Sequence, residues 1–521
     1  MTVYVPYLLE VRTMTVFPAT SYPIVCNFTP ANIAKLTNQK SHALTPSKHS
    51  VKFRGWRICS SLNLESISVT GNEETSTKNE KFDWYSQWYP IMPECDLDKK
   101  VPHSKKVLGL DLVLWWDRNE GAGAWKVFDD RCPHRMAPLS QGRIDQWGRL
   151  QCVYHGWCFN GTGNCKFIPQ APSDGPPVND SKRACVGVYP SLLRYGVVWF
   201  WPDTEVCYEE AVCKKEPPFI EQLEDPTMKL VAGNRDMAYS YDVLIENLMD
   251  PAHVRYAHYR ILPVSKNKEP RDREGGSPME LVVKMLNKDG YLAEVKGPVK
   301  HRYVAPCMFY SYTDSSTGES NLAQKFVMMF LCVPLSPGKS RVIWVFRRFL
   351  PDWIENIFPR WLRHVGQNLI LDSDMYLVYE QEKKLRALGP ENWGKLCYTP
   401  TKSDALVVGF RTWFRRFAGN EVDWRGKYSG DLPPMPAREQ LLDRYWTHTV
   451  NCESCRKAYK WLNVAEIVLQ IASVGIIAFA KSSGAAYRWV AFAVACFAAS
   501  RWLNHFIYKN FRYHDYFHGY R

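Results

Sequence analysis

Between Val107 and Pro202 the apolar residues come in short runs: LDLVLWW (Leu110–Trp116), WKVFDD (Trp125–Asp130), LQCVYHGWCF (Leu150–Phe159) and YGVVWFWP (Tyr195–Pro202). Runs of this length, rich in Val, Trp and Tyr and separated by Gly, Asn and Asp turns, predict strands, so the stretch reads as a small all-β domain. Its start is placed near Phe82, where FDWYSQWYPI follows the polar Gly71–Lys81. A Pro/Glu-rich passage, Lys214–Pro226, connects to a larger α+β region that runs to about Tyr445. The clearest amphipathic helix there is Gly366–Pro390, closed by Gly389-Pro390 as a helix stop.

Two apolar segments follow, Val464–Ala480 and Trp489–Ser500, joined by KSSGAAYR and ending in the tail RWLNHFIYKNFRYHDYFHGYR. Each is shorter than the about twenty residues of a spanning helix, and Glu466 and Gln470 interrupt the first. Flanking aromatic residues can lengthen both, and the short loop enforces antiparallel packing, so the pattern predicts a transmembrane helical hairpin. The competing reading is a soluble helical pair that covers the core. Two crossings would put the larger α+β region and the basic tail on the same side.

Composition narrows the class. At 521 residues, 46% hydrophobic and 23% charged, the chain is too apolar to be mainly disordered and too long for one ordinary core. The net charge of +13 invites a nucleic-acid or anionic-membrane reading. However, Met1–Leu64 holds one acidic residue, Glu10, against seven Lys or Arg, about +6 of that total. A basic, Ser/Thr-rich, acid-poor segment of this kind reads as an organellar transit segment, with a disordered basic arm as the alternative. No base-stacking motif or basic helix remains, which removes nucleic acid as a partner. The sixteen Cys lack the regular spacing of a disulfide scaffold, so reduced thiols and metal ligands are expected.

The sharpest motif is Cys132-Pro-His134 with Cys152-Val-Tyr-His155, each half offering one thiolate and one imidazole from a tight turn. Two Cys on one iron and two His on the other is the ligand set of a Rieske [2Fe–2S] cluster; a structural zinc is the competing occupant. Cys158 and Cys165 are expected to pack as small hydrophobes. Downstream, His253 and His258 lie in YDVLIENLMDPAHVRYAHY with Asn247 and Asp250. Two imidazoles and a carboxylate suit a non-haem Fe(II) site with open positions for O₂. On a straight helix these two His would stand about 140° apart, so a break at Pro251 is expected. The carboxylate is expected from Asp374, in the stripe Ile370, Asp374, Leu377, Val378, Gln381, with Asp372 as its rival.

CPHR…CVYHGW and ENLMDPAHVRYAH together resemble the Rieske non-haem iron oxygenases over about Phe82–Tyr445. The transit-like segment, the apolar hairpin and the Cys452/Cys455 pair resemble the plant plastid group that contains pheophorbide a oxygenase, the translocon-associated Rieske protein and protochlorophyllide a oxygenase. FDWYSQWYPIMPECDLDKKVPH, GRIDQWGRLQCVYHGWCFNG, YTPTKSDA and HFIYKNFRYHDY draw the resemblance toward the last. The resemblance implies an α+β fold: an N-terminal all-β Rieske domain, a larger helix-grip-like catalytic domain and the C-terminal hairpin. The division is 1–64 transit segment, 65–81 linker, 82–205 Rieske domain, 214–445 catalytic domain, 446–463 CxxC linker, 464–503 two transmembrane helices and 504–521 tail.

It also implies that Cys132, His134, Cys152 and His155 bind [2Fe–2S], and that His253, His258 and Asp374 bind the mononuclear iron. Asp250 would link one subunit's Rieske His to the next subunit's iron ligands in a homotrimer, with Asn247 a polar neighbour of the iron. Electrons would come from ferredoxin and oxygen from O₂. The substrate would be a chlorophyll-pathway tetrapyrrole, oxidised at the C7 methyl of protochlorophyllide a or chlorophyllide a, or opened at the pheophorbide a macrocycle. An envelope redox-sensing or import-associated protein is the runner-up function. Cys452 and Cys455 would form a redox pair open to thioredoxin, or else two unpaired thiols. The expected place is a chloroplast membrane, inner envelope or thylakoid, with the catalytic domain facing the stroma.

Overall fold

The structure, a computed structural model, describes residues 81–520 except 176, 225–228, 263–275, 296–298, 314–326, 348–356, 430 and 481–485. The expected transit segment and nearly all of the 65–81 linker lie outside the described residues.

The aromatic run at Phe82 supplies core rather than linker: Phe82, Trp84, Tyr85, Trp88 and Tyr89 are all buried. It leads into β1 (Tyr89–Pro93), which is followed by β2 (His103–Val107), β3 (Leu110–Asp117) and β4 (Ala124–Asp129). Strand β3 is apolar on both faces because it separates two cores. Leu112 and Leu114 enter the main core, whereas Val113 and Trp115 enter a smaller one that holds Cys132 and Cys152. The two-residue period of a strand makes this division possible.

The predicted single strand Leu150–Phe159 is two short ones. β5 (Arg143–Ile144), β6 (Leu150–Gln151), β7 (Cys158–Phe159) and β8 (Cys165–Phe167) form a small sheet, and the residues between β6 and β7 make a turn. A metal-binding loop with a left-handed Gly156 cannot continue a ladder, although its composition looks strand-like. β9 (Val188–Tyr189) closes the β2-β3-β4-β9 sheet, while β11 (Val197–Phe200) pairs with β1 on one side and with β10 (Ser191–Arg194) on the other. Cys158 and Cys165 are buried in this domain, as their expected role of packed hydrophobes requires.

The larger region is built on an antiparallel sheet of β12 (Leu230–Met237), β13 (Leu281–Asn287), β14 (Gly290–Val295), β15 (Val299–Val304), β16 (Met308–Thr313), β17 (Val327–Ser336) and β18 (Lys339–Arg347). Its order is β12-β18-β17-β16-β15-β14-β13. The helices that matter for the site are α1 (Tyr241–Met249), α2 (Val254–Ala257), α3 (Arg360–Leu388) and α4 (Ala405–Ala418). Buried Arg411 of α4 holds α1 by Nη1 to Asp242 Oδ2 at 2.8 Å and Nε to Glu246 Oε2 at 2.5 Å.

Helix α3 is longer than the predicted Gly366–Pro390 at its start and stops where expected, with Gly389 at φ +88° before Pro390. Its buried face departs from the predicted apolar stripe. His364, Asn368, Asp372, Ser373, Asp374, Met375, Val378 and Glu382 are buried, whereas Leu377 and Gln381 are exposed. Ion pairs and candidate ligands, rather than aliphatic side chains, dictate which way this helix faces.

Two further helices, α5 (Glu453–Ala480) and α6 (Ala486–Ile507), pack against each other. Ser473 Oγ donates to Ala493 O at 2.8 Å across the pair. Both are long and apolar enough to cross a membrane, and Ile471, Val474, Phe479, Phe492, Val494 and Phe497 are exposed on their outer faces. Glu466, which interrupts the apolar pattern, is buried beside Gln470, which donates to it. The chain then returns to the catalytic region: Tyr513 bridges to Asp443, and His518 Nε2 donates to Ser373 O at 2.8 Å. The basic-aromatic tail is thus docked on α3.

Candidate functional site: two iron centres on one chain

The two halves of the Rieske motif form matching turns. Cys132 N donates to Ala137 O at 2.8 Å and Met136 N to Cys132 O at 2.9 Å; Cys152 N donates to Trp157 O at 2.9 Å and Gly156 N to Cys152 O at 3.0 Å. The fifth residue of each turn is left-handed, Met136 at φ +61° and Gly156 at +78°. A Cβ on Gly156 would meet Pro169 Cγ at 2.9 Å, so glycine is required there for space as well as for backbone angle.

The turns place the four donors unevenly. Both cysteines are buried, and burial pushes the Cys132 thiol up to about 12, with the adjacent Cys152 adding to the effect. The imidazoles are half-buried at the outer edge, their ring centroids 4.4 Å apart. Trp157 stacks on His134 at 4.8 Å and 5° between planes, fixing that ring. His134 Nδ1 is buried without a hydrogen-bond partner, as expected of a nitrogen that ligates a metal. The four donors are not among the described groups whose ligand atoms all lie within 4.8 Å, as one tetrahedral zinc would require. A buried thiol pair below and an imidazole pair above fit a [2Fe–2S] rhomb. Met136, Val153 and Tyr154, in the same two turns as the imidazoles, are exposed apolar side chains.

The second site forms where α1 ends. Pro251 follows Asp250 at the helix C-terminus, and the four-residue α2 then separates His253, at its N-cap, from His258, at its C-cap. Pro251 precedes both histidines; what brings together two side chains that a straight helix would hold apart is the shortness of α2, which ends with His258 out of helical geometry at φ −103° and ψ 29°. His253 Nε2 lies 3.7 Å and His258 Nε2 3.6 Å from Asp374 Oδ2. All three donors fall within 4.8 Å of one another.

Neighbouring groups prepare each ligand. Ser373 Oγ donates its proton to Ile370 O at 2.6 Å, so at 2.7 Å from His258 Nδ1 it accepts, leaving the Nε2 lone pair aimed at Asp374. Burial and nearby His253 push His258 down to about 3, keeping it neutral as a ligand must be. Burial pushes Asp374 up to about 6, opposed by His253 and by a hydrogen bond from Asn247. Asp250 sits behind His253, its Oδ2 3.7 Å from Nδ1, and together with Asp374 it raises His253 despite the opposing effect of burial. His253 Nδ1 is buried without a hydrogen-bond partner and faces that carboxylate. Two neutral-capable imidazoles and one buried carboxylate fit a facial two-His, one-carboxylate iron site.

The rival carboxylate serves a different purpose. Asp372, two residues earlier and fully buried, pairs with Arg235 Nη2 at 2.6 Å and accepts from Arg444 Nε at 2.7 Å. It ties α3 to β12 and to the segment after α4.

Cys452 and Cys455 are buried, without a disulfide, between His364 and His448. Exchange with an external dithiol needs an exposed sulfur. Ser373, His364 and His448 were not singled out in the sequence, whereas Trp157 lies in the CVYHGW motif. Of the former, only His448 left a local signal, in the spacing His448-x-x-x-Cys452-x-x-Cys455.

A Rieske [2Fe-2S] domain model matches residues 87–190, and a pheophorbide a oxygenase model matches residues 303–392. The chain is 51% identical to the protochlorophyllide-dependent translocon component 52 of Arabidopsis thaliana, a chloroplastic protein, over 85% of this chain and 86% of that one. It is 48% identical to the chloroplastic flavonoid 8-hydroxylase 2 of Ocimum basilicum, over 85% and 87%. It is 35% identical to the chloroplastic pheophorbide a oxygenase of Oryza sativa subsp. japonica, over 85% and 87%. With the two iron-binding arrangements on one chain, these likenesses show that it belongs to the Rieske non-haem iron oxygenase family of chloroplasts that includes pheophorbide a oxygenase.

Proposed function

We propose that this chain oxidises a chlorophyll-pathway tetrapyrrole at a plastid membrane, drawing electrons from ferredoxin, with the C7 methyl of protochlorophyllide a or chlorophyllide a as the carbon attacked. The observation that carries the oxygenase reading is the convergence of His253, His258 and Asp374 within 4.8 Å, on a chain that also holds the Rieske turns. A protein that only sensed or relayed redox state would have no use for that second set. The tetrapyrrole class is supported by the names of the Arabidopsis and rice relatives.

When bound, the two iron groups supply one-electron relay and O₂ activation. The chain's own residues arrange the rest. Cys132, His134, Cys152 and His155 hold the cluster with its imidazole edge outward, and the exposed apolar side chains of Met136, Val153 and Tyr154 fit a homotrimer contact there. Asp250 faces His253 Nδ1 at 3.7 Å and, partly exposed, can accept a hydrogen bond from a neighbouring subunit's imidazole. Asn247 keeps Asp374 oriented through its hydrogen bond. Overall, a methyl group, O₂, two electrons and two protons give a hydroxymethyl group and water.

A second reading, flavonoid hydroxylation, is favoured by the basil relative. The test is a turnover of ferredoxin-reduced protein with protochlorophyllide a, chlorophyllide a, pheophorbide a and a flavone in separate reactions, read by product mass. Gain of one oxygen on protochlorophyllide a or chlorophyllide a supports the proposal; oxygenation of the flavone alone, or of pheophorbide a alone, replaces it. Two irons per chain and no substrate-dependent O₂ uptake would instead mark a sensor.

A further inference from the structure

We infer that His364, His448, Cys452 and Cys455 form a structural zinc site that clamps the root of the apolar hairpin to the iron-bearing helix α3. The four donor atoms lie within 4.8 Å of one another and all four residues are buried. His448 Nε2 is 3.2 Å from Cys455 Sγ; His364 Nδ1 is 3.4 Å from Cys452 Sγ and 3.5 Å from Cys455 Sγ. Tetrahedral zinc, with Zn–S near 2.3 Å and Zn–N near 2.05 Å, separates sulfur from nitrogen by about 3.6 Å. The observed spacings therefore suit one small ion at the centre.

The surroundings are those of a ligand set rather than of a dithiol. His448 Nδ1 donates to Asn234 O at 2.6 Å, which leaves its Nε2 lone pair facing the sulfurs. Arg360 Nη2 donates to Cys452 Sγ at 3.1 Å and pairs with Asp96, which also accepts from Glu453 N at 3.0 Å. A guanidinium beside one sulfur favours the thiolate form that metal binding requires. Uptake of Zn²⁺ releases the two thiol protons and forms two Zn–S and two Zn–N bonds, with no change of oxidation state. Four protein donors and no open position describe a structural rather than a catalytic zinc, and two S with two N select zinc over Mg²⁺ or Ca²⁺.

The elements joined define the consequence. His364 lies ten residues before Asp374 on α3, Cys452 and Cys455 bracket the first turn of α5, and His448 is fastened to β12. Phe511, beyond the second hairpin helix, packs on the same cysteines.

The test is metal analysis of the full-length, detergent-solubilised holoenzyme. The expected result is one zinc beside three irons per chain, resistant to EDTA and released by a mercurial thiol reagent. Cys452→Ser is expected to lose the zinc while keeping the Rieske electron paramagnetic resonance signal. Should that variant be insoluble, cobalt exchanged into the unmodified chain is expected to give thiolate-to-cobalt charge transfer and tetrahedral d–d bands. Full iron without zinc, a Cys452–Cys455 disulfide in the peptide masses of the same sample, or a fourth iron in place of zinc would each overturn the assignment.

Discussion

Ser373 and Asp374, adjacent on one helix, reach the two nitrogens of a single imidazole: Ser373 Oγ lies 2.7 Å from His258 Nδ1, and Asp374 Oδ2 lies 3.6 Å from His258 Nε2. The helix carrying the carboxylate therefore also sets the tautomer of one of its partners. Ser373→Ala should weaken Fe(II) binding about 10- to 100-fold, the usual cost of losing such an orienting group. Fe(II) titration of the chelator-stripped chain reads this; unchanged affinity would remove Ser373 from the site.

Asp372 and Asp374 make opposite predictions. Asp374→Asn should leave the fold intact and remove one iron of three. Asp372→Asn should keep all three irons but destabilise the chain by about 3–5 kcal/mol, because Arg235 and Arg444 would remain buried without their shared counter-charge. Iron content and denaturant midpoints, measured on both variants, separate the two roles.

Asp250→Asn keeps an oxygen at the position that faces His253 Nδ1 but removes the charge. Both iron groups should stay bound while product formed per cluster oxidised falls at least about tenfold, the effect of losing roughly 1.4 kcal/mol of coupling. Normal product yield in a single turnover would contradict the linking role.

Glu382 gives a pH signature away from both metals. Its carboxylate accepts from Ser240 N at 3.1 and 3.2 Å, and burial, with Asp242 adding to it, pushes its pKa up to about 7. Because the folded value is raised, the folded chain holds a proton that the unfolded chain has released between about pH 4.5 and 7. That stabilisation is complete below about pH 4.5 and is lost as pH rises through about 7. Relative to Glu382→Gln, the wild-type chain should lose about 1–3 kcal/mol between pH 5 and 8. Parallel melting curves across that range would exclude it.

Local chemistry was readable in the sequence; partners distant along the chain were not. Cys132-Pro-His134 and Cys152-Val-Tyr-His155 announce themselves because each turn is self-contained. His253 and His258 could be paired because they lie five residues apart in one segment, just after the helix-breaking Pro251. Periodicity favoured Asp374 over Asp372 without excluding the rival, since the buried pairing of Asp372 comes from Arg235 and Arg444, on other elements. His364 was invisible for the same reason: the cysteines it faces lie 88 and 91 residues away. The turn between β6 and β7 was read as strand because Val153, Tyr154 and Trp157 favour strands, while its ligand geometry overrides that preference.

His518 caps the carbonyl of Ser373, yet it lies beyond both apolar helices in the chain. During synthesis the hairpin emerges before this capping residue does. Completion of the pocket is therefore ordered in time: both apolar helices are made before the backbone beside Asp374 can acquire its final contact.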